Sequence, residues 1–217
     1  MVSPVRWTLL EGLPEEEARE VISRSRRRRF ARREVVFHQG DPANALHLIA
    51  KGRFAVRAIT PLGDTATFTV LGPGRFFGEL ALLSPEATRT ATVAALEEGE
   101  TYAIDATDLR RIREDYPVVT DGLIEALVEE AQRLSDRLVE ALYVPAGERV
   151  IRRLRELVVA YAGAEGAGVV PLTQEELSEL AGTSRATVNA ALREQERRGA
   201  ISLTRGKIGI VDSSALG

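Results

Sequence analysis

The chain has 217 residues, of which 44% are hydrophobic and 28% charged, and its formal net charge is −3. This length allows one large or two modest domains with an ample core, and the composition is that of a globular protein, not a disordered one. There is no cysteine, which excludes disulfides, thiolate-held iron–sulfur clusters and cysteine nucleophiles.

The N-terminus, MVSPVRWTLLEGLPEEE, lacks the charged-then-apolar pattern of a signal peptide, and no uninterrupted apolar run is long enough to span a membrane. The sequence therefore predicts a cytoplasmic protein. The two histidines, His38 and His47, offer few ligands, which disfavours a metal or haem site. No serine lies near a histidine motif and no glycine-rich Walker pattern is present, so we expect neither an enzyme nor a metalloprotein.

Residues 14–30, PEEEAREVISRSRRRRF, open with Pro14 and three acids and close with arginines. These charges suit the two ends of a helix dipole, which predicts a short amphipathic helix. The arginine run could bind nucleic acid, but no aromatic or glycine residues interleave it. We therefore interpret it as the solvated end of that helix.

Residues 31–104 form short β-rich runs separated by the turn signals GDPAN, PLGD, GPG and EEGE. This spacing predicts a small β-barrel or jelly-roll. Within it, the stretch FFGELALLSPEATRTATVAA places Glu79 and Arg89 in apolar surroundings. Either the two form a buried ion pair, or they bind a ligand that is part anion and rich in hydroxyl groups.

A short helix is predicted over 106–116 and a long one from Pro117 onward. The long helix has apolar or small residues spaced alternately four and three apart: Thr120, Ile124, Leu127, Ala131, Leu134, Leu138 and Ala141. Such a heptad seam is typical of two helices packing in a dimer, although the helix could instead lie on its own barrel. Pro145 and Gly147 then predict a hinge and domain boundary over 143–148.

The C-terminal part is predicted to contain a helix over 148–163, the glycine-rich loop AGAEGAG and two short helices separated by Ala181-Gly182-Thr183. Gly182 can adopt the left-handed conformation that ends a helix, and Thr183 or Ser184 can cap the next one. This is the layout of a helix-turn-helix. The segment AISLTRGKIGIVD follows as a hairpin with Arg205-Gly206-Lys207 at its tip.

The second helix of this pair divides into two faces. Val188, Ala191, Leu192 and Gln195 share one arc, while Arg185, Ala186, Asn189 and Arg193 share much of the other. Residues 184–209 contain six cations and two anions, a net charge of +4 in a chain of −3. The pattern favours a helix whose exposed face enters the major groove of DNA, with protein contacts as the alternative.

The order of these features resembles the CRP/FNR transcription regulators, the cyclic-AMP receptor protein group, over essentially the whole chain. The matching residues are the glycine-punctuated β-barrel, GELALL…RTA, the long helix and TQEELSELAGTSRATV. The resemblance implies an α+β chain: a cyclic-nucleotide-binding-like β-roll or jelly-roll (1–116), a dimerisation helix and hinge (117–144) and a winged helix-turn-helix (145–217). It also implies a bacterial homodimer that binds a palindromic double-stranded DNA operator, with RNA polymerase as a further partner.

In that family the segment resembling GELALL…RTA binds the phosphate of a cyclic nucleotide. Arg89 would bind the phosphate with help from Thr90 and the amides of a helical turn over Gly78 to Leu83, and Glu79 would bind the ribose 2′-hydroxyl. The effector site implied comprises Gly78, Glu79, Leu80, Arg89, Thr90, Leu134 and Ser135. The DNA-binding residues implied are Thr173, Ser184, Arg185, Ala186, Thr187, Asn189, Arg193, Arg205 and Lys207.

Two departures from the family pattern bear on specificity. Cyclic-AMP-responsive relatives usually carry a threonine followed by serine or asparagine where this chain has Leu134-Ser135, and Glu130 stands where they tend to be basic. Relatives that read a TGTGA half-site tend to have Arg-Glu and a further arginine where this chain has Arg185, Ala186 and Ala190. The effector is then cyclic AMP bound weakly, another nucleotide, or none, and the operator differs from that consensus.

Three alternatives stay open at this stage. One is an effector-independent regulator with a vestigial pocket, and the second is a nucleotide-sensing protein that controls an enzyme instead of a promoter. The third is a haem gas sensor.

Overall fold

The computed structural model describes residues 5–60, 63–84, 86–161 and 168–216. Its contacts divide the chain into two compact units, Met1–Ala58 with Phe68–Gln132 and Ile59–Thr67 with Arg133–Gly217. The predicted glycine-rich loop lies outside the described residues, except for Gly168, as do the first two residues of the predicted PLGD turn. The predicted domain boundaries after residues 116 and 144 stay predictions.

The first part of the chain alternates short strands with a few helices, as the glycine-punctuated texture predicts. In chain order the elements are α1 Glu15–Arg24, β1 Arg26–Phe30, β2 Val35–Phe37, β3 Ala45–Lys51, β4 Phe54–Ile59, β5 Thr65–Leu71, β6 Phe76–Phe77, α2 Glu79–Leu83, β7 Thr92–Ala95, β8 Gly99–Asp105, α3 Ala106–Asp115 and α4 Pro117–Tyr143. The predicted short and long helices are thereby confirmed as α3 and α4.

Two four-stranded antiparallel sheets form the β-roll, with strand orders β1-β8-β3-β6 and β2-β7-β4-β5. Their facing sides bury one apolar cluster that draws residues from both sheets: Phe30, Ile49, Phe54, Phe77, Val93 and Ala95. Alternation along the strands explains this arrangement, since successive side chains point to opposite faces of a sheet. The predicted jelly-roll is confirmed.

A second cluster covers the other face of the β1-β8-β3-β6 sheet. Leu46 and Leu48 of β3 are fully buried there, together with Leu109 of α3 and Val119 and Leu123 of α4. Trp7 is anchored to the same sheet, because its indole Nε1 donates a hydrogen bond to the carbonyl of Ile49 at 2.9 Å. The start of α4 is thus fixed by the core of the first unit.

The arginine run corrects the predicted helix over 14–30. The helix ends at Arg24, Ser25 has extended backbone (φ −75, ψ 144), and Arg26–Phe30 pair with Gly99–Ala103 as an antiparallel strand. The helix interpretation is wrong because a long-range partner decides the conformation: Glu100 of β8 accepts from both Arg27 and Arg29, at 2.6 and 3.4 Å. These arginines lie two residues apart and therefore on one face of the strand.

The second unit contains the helix-turn-helix. Its remaining elements are α5 Ala146–Tyr161, β9 Val169–Val170, α6 Gln174–Ala181, α7 Arg185–Arg197, β10 Ile201–Thr204 and β11 Lys207–Ile210. The last three strands form an antiparallel sheet in the order β10-β11-β9, so the predicted hairpin belongs to a three-stranded wing. The winged helix-turn-helix is confirmed.

Local capping explains where α6 and α7 begin and end. Thr173 and Glu176 form a reciprocal capping box at the start of α6, and Gly182 ends that helix with the predicted left-handed backbone (φ 58, ψ 49). Ser184 then caps α7, because its hydroxyl accepts from the amide of Thr187 at 3.2 Å. These caps satisfy helix-end groups that have no partner within the helix.

Candidate functional site

A cavity of about 100 Å³ lies within the first unit, between α2, the 89–93 segment and α4. The residues that line it include Phe37, Phe77, Gly78, Glu79, Leu80, Arg89, Thr90, Ala126 and Glu130. Five of the seven predicted effector residues therefore come together here, Gly78, Glu79, Leu80, Arg89 and Thr90. Pockets that hold a whole ligand have volumes of roughly 300–1,000 Å³. This cavity is smaller, so it has room for only part of a nucleotide.

Arg89 is held by backbone carbonyls. Its side chain is buried, and it donates to the carbonyl of Ala45 at 2.7 Å and to that of Gly78 at 3.1 Å. Its Cζ lies 4.0 Å from the centre of the Phe37 ring, within cation–π range. Burial lowers the pKa of the Arg89 guanidinium, and the nearby Asp41 and Glu79 oppose that shift.

Gly78 allows the Arg89 guanidinium to approach its backbone closely. It has a left-handed φ of +89° and precedes α2 as its N-terminal cap. A Cβ at this position would lie 2.6 Å from Nη1 of Arg89 and 3.2 Å from the carbonyl oxygen of Ala45. Glycine is therefore required here both for the backbone conformation and for the close approach of the guanidinium.

Glu79 occupies the first turn of α2 and carries a buried carboxylate oxygen. Among the described residues its Oε2 has no hydrogen-bond partner, and the same holds for Nε of Arg89. Burial raises the pKa of the Glu79 carboxyl, and the Glu130 carboxylate adds to the increase. A hydrogen bond from its own backbone amide acts in the opposite direction, as do the charges of Arg89 and Arg75.

Glu79 and Arg89 do not form an ion pair within the part of the chain that the structure describes. Each instead leaves one buried polar atom, an acceptor on Glu79 and a donor on Arg89, without a partner. Buried polar groups are usually hydrogen-bonded, so an exception needs a physical explanation. The ion-pair explanation of the two charges is therefore not what the structure shows.

The long helix contributes Ala126 and Glu130 to the cavity lining. Leu134 and Ser135 lie further along α4, in the stretch that belongs to the second unit, and both are exposed there, Leu134 by 44%. Their predicted contact with a ligand base stays a prediction.

His47 is a structural histidine beside the cavity. It is buried, its Nδ1 lies 3.0 Å from the hydroxyl of Thr101, and its ring stacks on Phe77 with centroids 5.0 Å apart. Burial lowers its pKa to about 3, with Arg89, Arg28 and Arg26 adding to the decrease. The imidazole is therefore neutral at physiological pH and packs as part of the core, as its position in a strand suggests.

The recognition-helix candidate α7 has the two predicted faces. Val188, Leu192 and Gln195 are buried, whereas Arg185, Ala186, Asn189 and Arg193 are exposed. Arg185 is the first residue of the helix, directly after the Ser184 cap. An arginine at this end of a helix can reach base edges in a major groove.

Ion pairs divide the six cations of this region into two groups. Arg193 pairs with Glu196, and Arg197 and Arg198 pair with Glu194, all within α7 or at its end. The side chains of Arg185, Arg205 and Lys207 form no ion pair within the described ranges. These three cations are the ones available to an external anion.

The cyclic nucleotide-binding domain family matches residues 27–116, and the Crp-like helix-turn-helix domain family matches residues 148–217. A CRP-like cAMP-activated global transcriptional regulator of Mycobacterium tuberculosis is 31% identical to this chain over 190 residues. The match covers 86% of this chain and 84% of that protein. The chain belongs to the CRP/FNR family of transcriptional regulators.

Further relatives agree with membership of the CRP/FNR family. The cyclic AMP receptor protein of Thermus thermophilus is 31% identical over 211 residues, 96% of this chain and 94% of that protein. The crystal structure of the Thermus thermophilus catabolite activator protein is 30% identical with a TM-score of 0.55, and the match covers 96% of each chain. The c-di-GMP-responsive regulator CLP of Xanthomonas campestris shares the fold, with a TM-score of 0.77 at 20% identity over 91% of this chain and 99% of that one.

Three features of this CRP/FNR chain escape sequence reasoning. The carbonyl of Ala45 binds Arg89 through backbone, which no side-chain pattern reveals. Phe37 lies in the alternating run EVVFHQG and is identifiable as inward-facing, but its contact with Arg89 depends on the fold. Arg149 donates to three backbone carbonyls of the second unit, Val144, Ala181 and Gly182.

The described residues contain no group of three or more histidine, cysteine or acidic side chains arranged to hold a metal ion. They also contain no helix that is both long and apolar enough to cross a membrane.

Proposed function

We propose that this CRP/FNR regulator binds palindromic operator DNA as a homodimer through α7, and that a cyclic nucleotide or related effector in the first unit modulates that binding. RNA polymerase is the further partner of this regulatory function. The proposed role is binding and not catalysis.

The observation that carries DNA binding is the exposed, capped start of α7. Ser184 fixes the beginning of the helix, and Arg185 follows with its guanidinium outside any ion pair of the described residues. Arginine binds guanine O6 and N7 bidentately, the commonest specific contact in the major groove. Arg205 lies in the turn between β10 and β11, and Lys207 begins β11; cations at the tip of such a hairpin suit phosphate contacts.

Selection of binding sites from random DNA, followed by affinity measurement at several salt concentrations, tests this proposal. We expect a two-fold symmetric site and an affinity that falls steeply as salt rises, because phosphate contacts release counterions. Binding that shows neither sequence preference nor salt dependence would contradict it. That result would favour the alternative in which the protein controls an enzyme.

The effector proposal is supported by the two unpartnered atoms of the cavity. A cyclic nucleotide carries an anionic phosphate, which accepts hydrogen bonds from Arg89, and a ribose hydroxyl, which donates to Glu79. Both buried orphan atoms, Nε and Oε2, would then gain a partner. The names of the two relatives from Mycobacterium tuberculosis and Thermus thermophilus include cyclic AMP, which supports this class of ligand.

A second candidate is a regulator with a vestigial pocket, and two observations favour it. Arg89 already has two carbonyl partners without a ligand, and the cavity is small. Calorimetric titration against a panel of cyclic mono- and dinucleotides separates the two. Saturable binding of any member supports the effector, whereas no binding together with operator binding in the ligand-free protein supports the vestigial pocket.

The proposed dimer rests on the exposed apolar side chains of α4. Ile124 is 53% exposed and Leu138 is 62% exposed, and both belong to the heptad seam. Burying such residues against a second copy removes apolar surface from water. A two-fold axis would also match a palindromic operator.

A further inference from the structure

Arg149, near the start of α5, binds three backbone carbonyls in the second unit with different nitrogens of one guanidinium. Nη1 donates to Val144 at 3.1 Å, Nε to Ala181 at 3.2 Å and Nη2 to Gly182 at 3.1 Å. Val144 directly follows the end of α4, and the other two residues form the end of α6 and its left-handed cap. One side chain thus connects three helices.

The three carbonyls share an electrostatic property. The last carbonyls of a helix have no amide partner within it, and they lie at the negative end of its dipole. A guanidinium is planar and offers several N–H donors in a fixed fork, so it can satisfy carbonyls from two helix ends at once. A lysine ammonium is a compact charge on a flexible stem and cannot reproduce that geometry.

The turn held by Arg149 leads directly into α7. Thr183 follows Gly182 and its amide donates to the carbonyl of Ser178, and Ser184 then caps the helix that begins with Arg185. A Cβ on Gly182 would meet no atom within 4 Å. The backbone conformation of this turn is therefore not fixed by crowding, and hydrogen bonds to its carbonyls contribute to fixing it.

Ion pairs hold the end of α4 to α5 in the same unit. Glu140 pairs with Arg152 at 3.1 Å and with Arg153, and Arg137 pairs with Glu156 at 3.4 Å. These contacts join α4 to α5 but do not reach the turn before α7. The side chain that links this helix pair to the turn through hydrogen bonds to its carbonyls is Arg149.

We propose that Arg149 is a positioning residue for operator recognition, because it fixes the start of α7 relative to the end of α4. This inference rests on the proposed DNA-binding function of α7. In a dimer joined through α4, the same contacts would set the distance between the two recognition helices, and that distance must match the half-site spacing of the operator. Rearrangement of the 143–148 segment would move the carbonyl of Val144 relative to Arg149.

The test compares Arg149→Met and Arg149→Lys with the matched control Arg152→Met in the full-length protein. Arg152 lies one turn further along α5, and its guanidinium pairs with the carboxylates of Glu140 and Glu148. Affinities are measured for the selected operator and for unrelated DNA of equal length at one salt concentration. Thermal melting and circular dichroism of each variant verify that it is folded.

We expect Arg149→Met to weaken operator binding at least tenfold while binding of unrelated DNA changes less than twofold. Arg149→Lys should lie between Arg149→Met and the wild type, and Arg152→Met should keep the wild-type ratio of the two affinities. Unchanged ratios in both Arg149 variants would overturn the proposal. An equal loss on both DNAs would also overturn it, because it indicates a structural role alone. If Arg149→Met does not fold, the ratio for Arg149→Lys decides.

Amide hydrogen exchange gives a second readout that needs no DNA. Arg149→Met should accelerate exchange at Thr183 and Thr187 about tenfold relative to amides in the middle of α5, because the turn and cap loosen. Uniform acceleration, or none, would overturn the proposal. A wild-type protein that fails to select any operator would contradict the DNA-binding function, whereas this exchange pattern would still decide whether Arg149 holds the turn.

Discussion

Replacing Glu79 by glutamine should stabilise the ligand-free protein and weaken its binding of nucleotides. The carboxylate oxygen Oε2 is buried without a hydrogen-bond partner in the described part of the chain. A buried polar group in that state costs about 1–3 kcal/mol. Glutamine leaves a polar atom without a partner at this position but removes the buried charge, and a neutral polar group costs less to bury than a charged one. We therefore expect a gain near the lower limit, about 1 kcal/mol.

The effect should depend on pH in a definite direction. Burial raises the pKa of Glu79 in the folded state, so the folded protein binds this proton more tightly than the unfolded chain. The stabilisation that comes from this tighter proton binding is fully present below the usual pKa of glutamic acid, about 4.3. It is lost as pH rises through the folded-state pKa of Glu79. The advantage of Glu79→Gln should therefore be present at neutral pH and disappear in acid.

Thermal melting of the ligand-free proteins at pH 7 and pH 4 measures this difference. A gain of about 1 kcal/mol corresponds to a rise of roughly 2–4 °C in the melting temperature of a chain of this size. Glu86→Gln is the matched control, because Glu86 is exposed and follows the same helix. Titration with the nucleotide that binds best should show about tenfold weaker affinity for Glu79→Gln, since one charge-assisted hydrogen bond is lost.

A melting temperature of Glu79→Gln below that of wild type at pH 7 would refute this reasoning, because it would mean that the ionised carboxylate is satisfied in the empty protein. An equal shift at both pH values would refute the titration argument. Unchanged nucleotide affinity would mean that Glu79 does not bind the ligand, and the conclusion on stability would still hold.

Four further variants test the pocket, the recognition helix and the seam. Arg89→Leu should abolish nucleotide binding in calorimetry and lower the free energy of unfolding by about 2 kcal/mol, because two carbonyls lose their donor; a loss of 3–5 kcal/mol would instead indicate a broken buried ion pair. Leu134→Thr should raise cyclic-AMP affinity about tenfold if its hydroxyl reaches the base, and unchanged affinity would contradict that contact. Arg185→Ala should abolish selection of at least one guanine in the operator, because losing one bidentate contact costs roughly 1–3 kcal/mol of binding free energy. An unchanged selected site would contradict the role of Arg185 in base recognition. Leu127→Glu combined with Leu138→Glu should give monomers in sedimentation at micromolar concentration, and a dimer under those conditions would place the interface elsewhere.

The helix-turn-helix could be predicted from the sequence because its signals are local. Thr173 and Glu176 form a capping box, Gly182 supplies the left-handed stop, and Ser184 caps the next helix. Each of these preferences acts within one helical turn. The two faces of α7 follow from the 3.6-residue period in the same way.

The candidate pocket could be predicted only in part, because its contacts are long-range. Arg89 was identifiable as an isolated cation in apolar surroundings, but its partner Ala45 lies 44 positions away and contributes a carbonyl. The prediction that residues 26–30 continue the helix was wrong for a related reason. Its conformation is decided by pairing with β8 and by Glu100, and a uniform run of charges has no hydrophobic period from which to distinguish helix from strand.

That arginine run has a consequence for how molecules of this protein meet one another. β1 is the outer strand of the β1-β8-β3-β6 sheet, and an outer strand can pair with the edge of another sheet and so start aggregation. Arg26 to Arg29 cover this edge with consecutive cations, although the whole chain is acidic. Two copies approaching through β1 would bring like charges together, so this strand edge resists pairing with the sheet of another molecule.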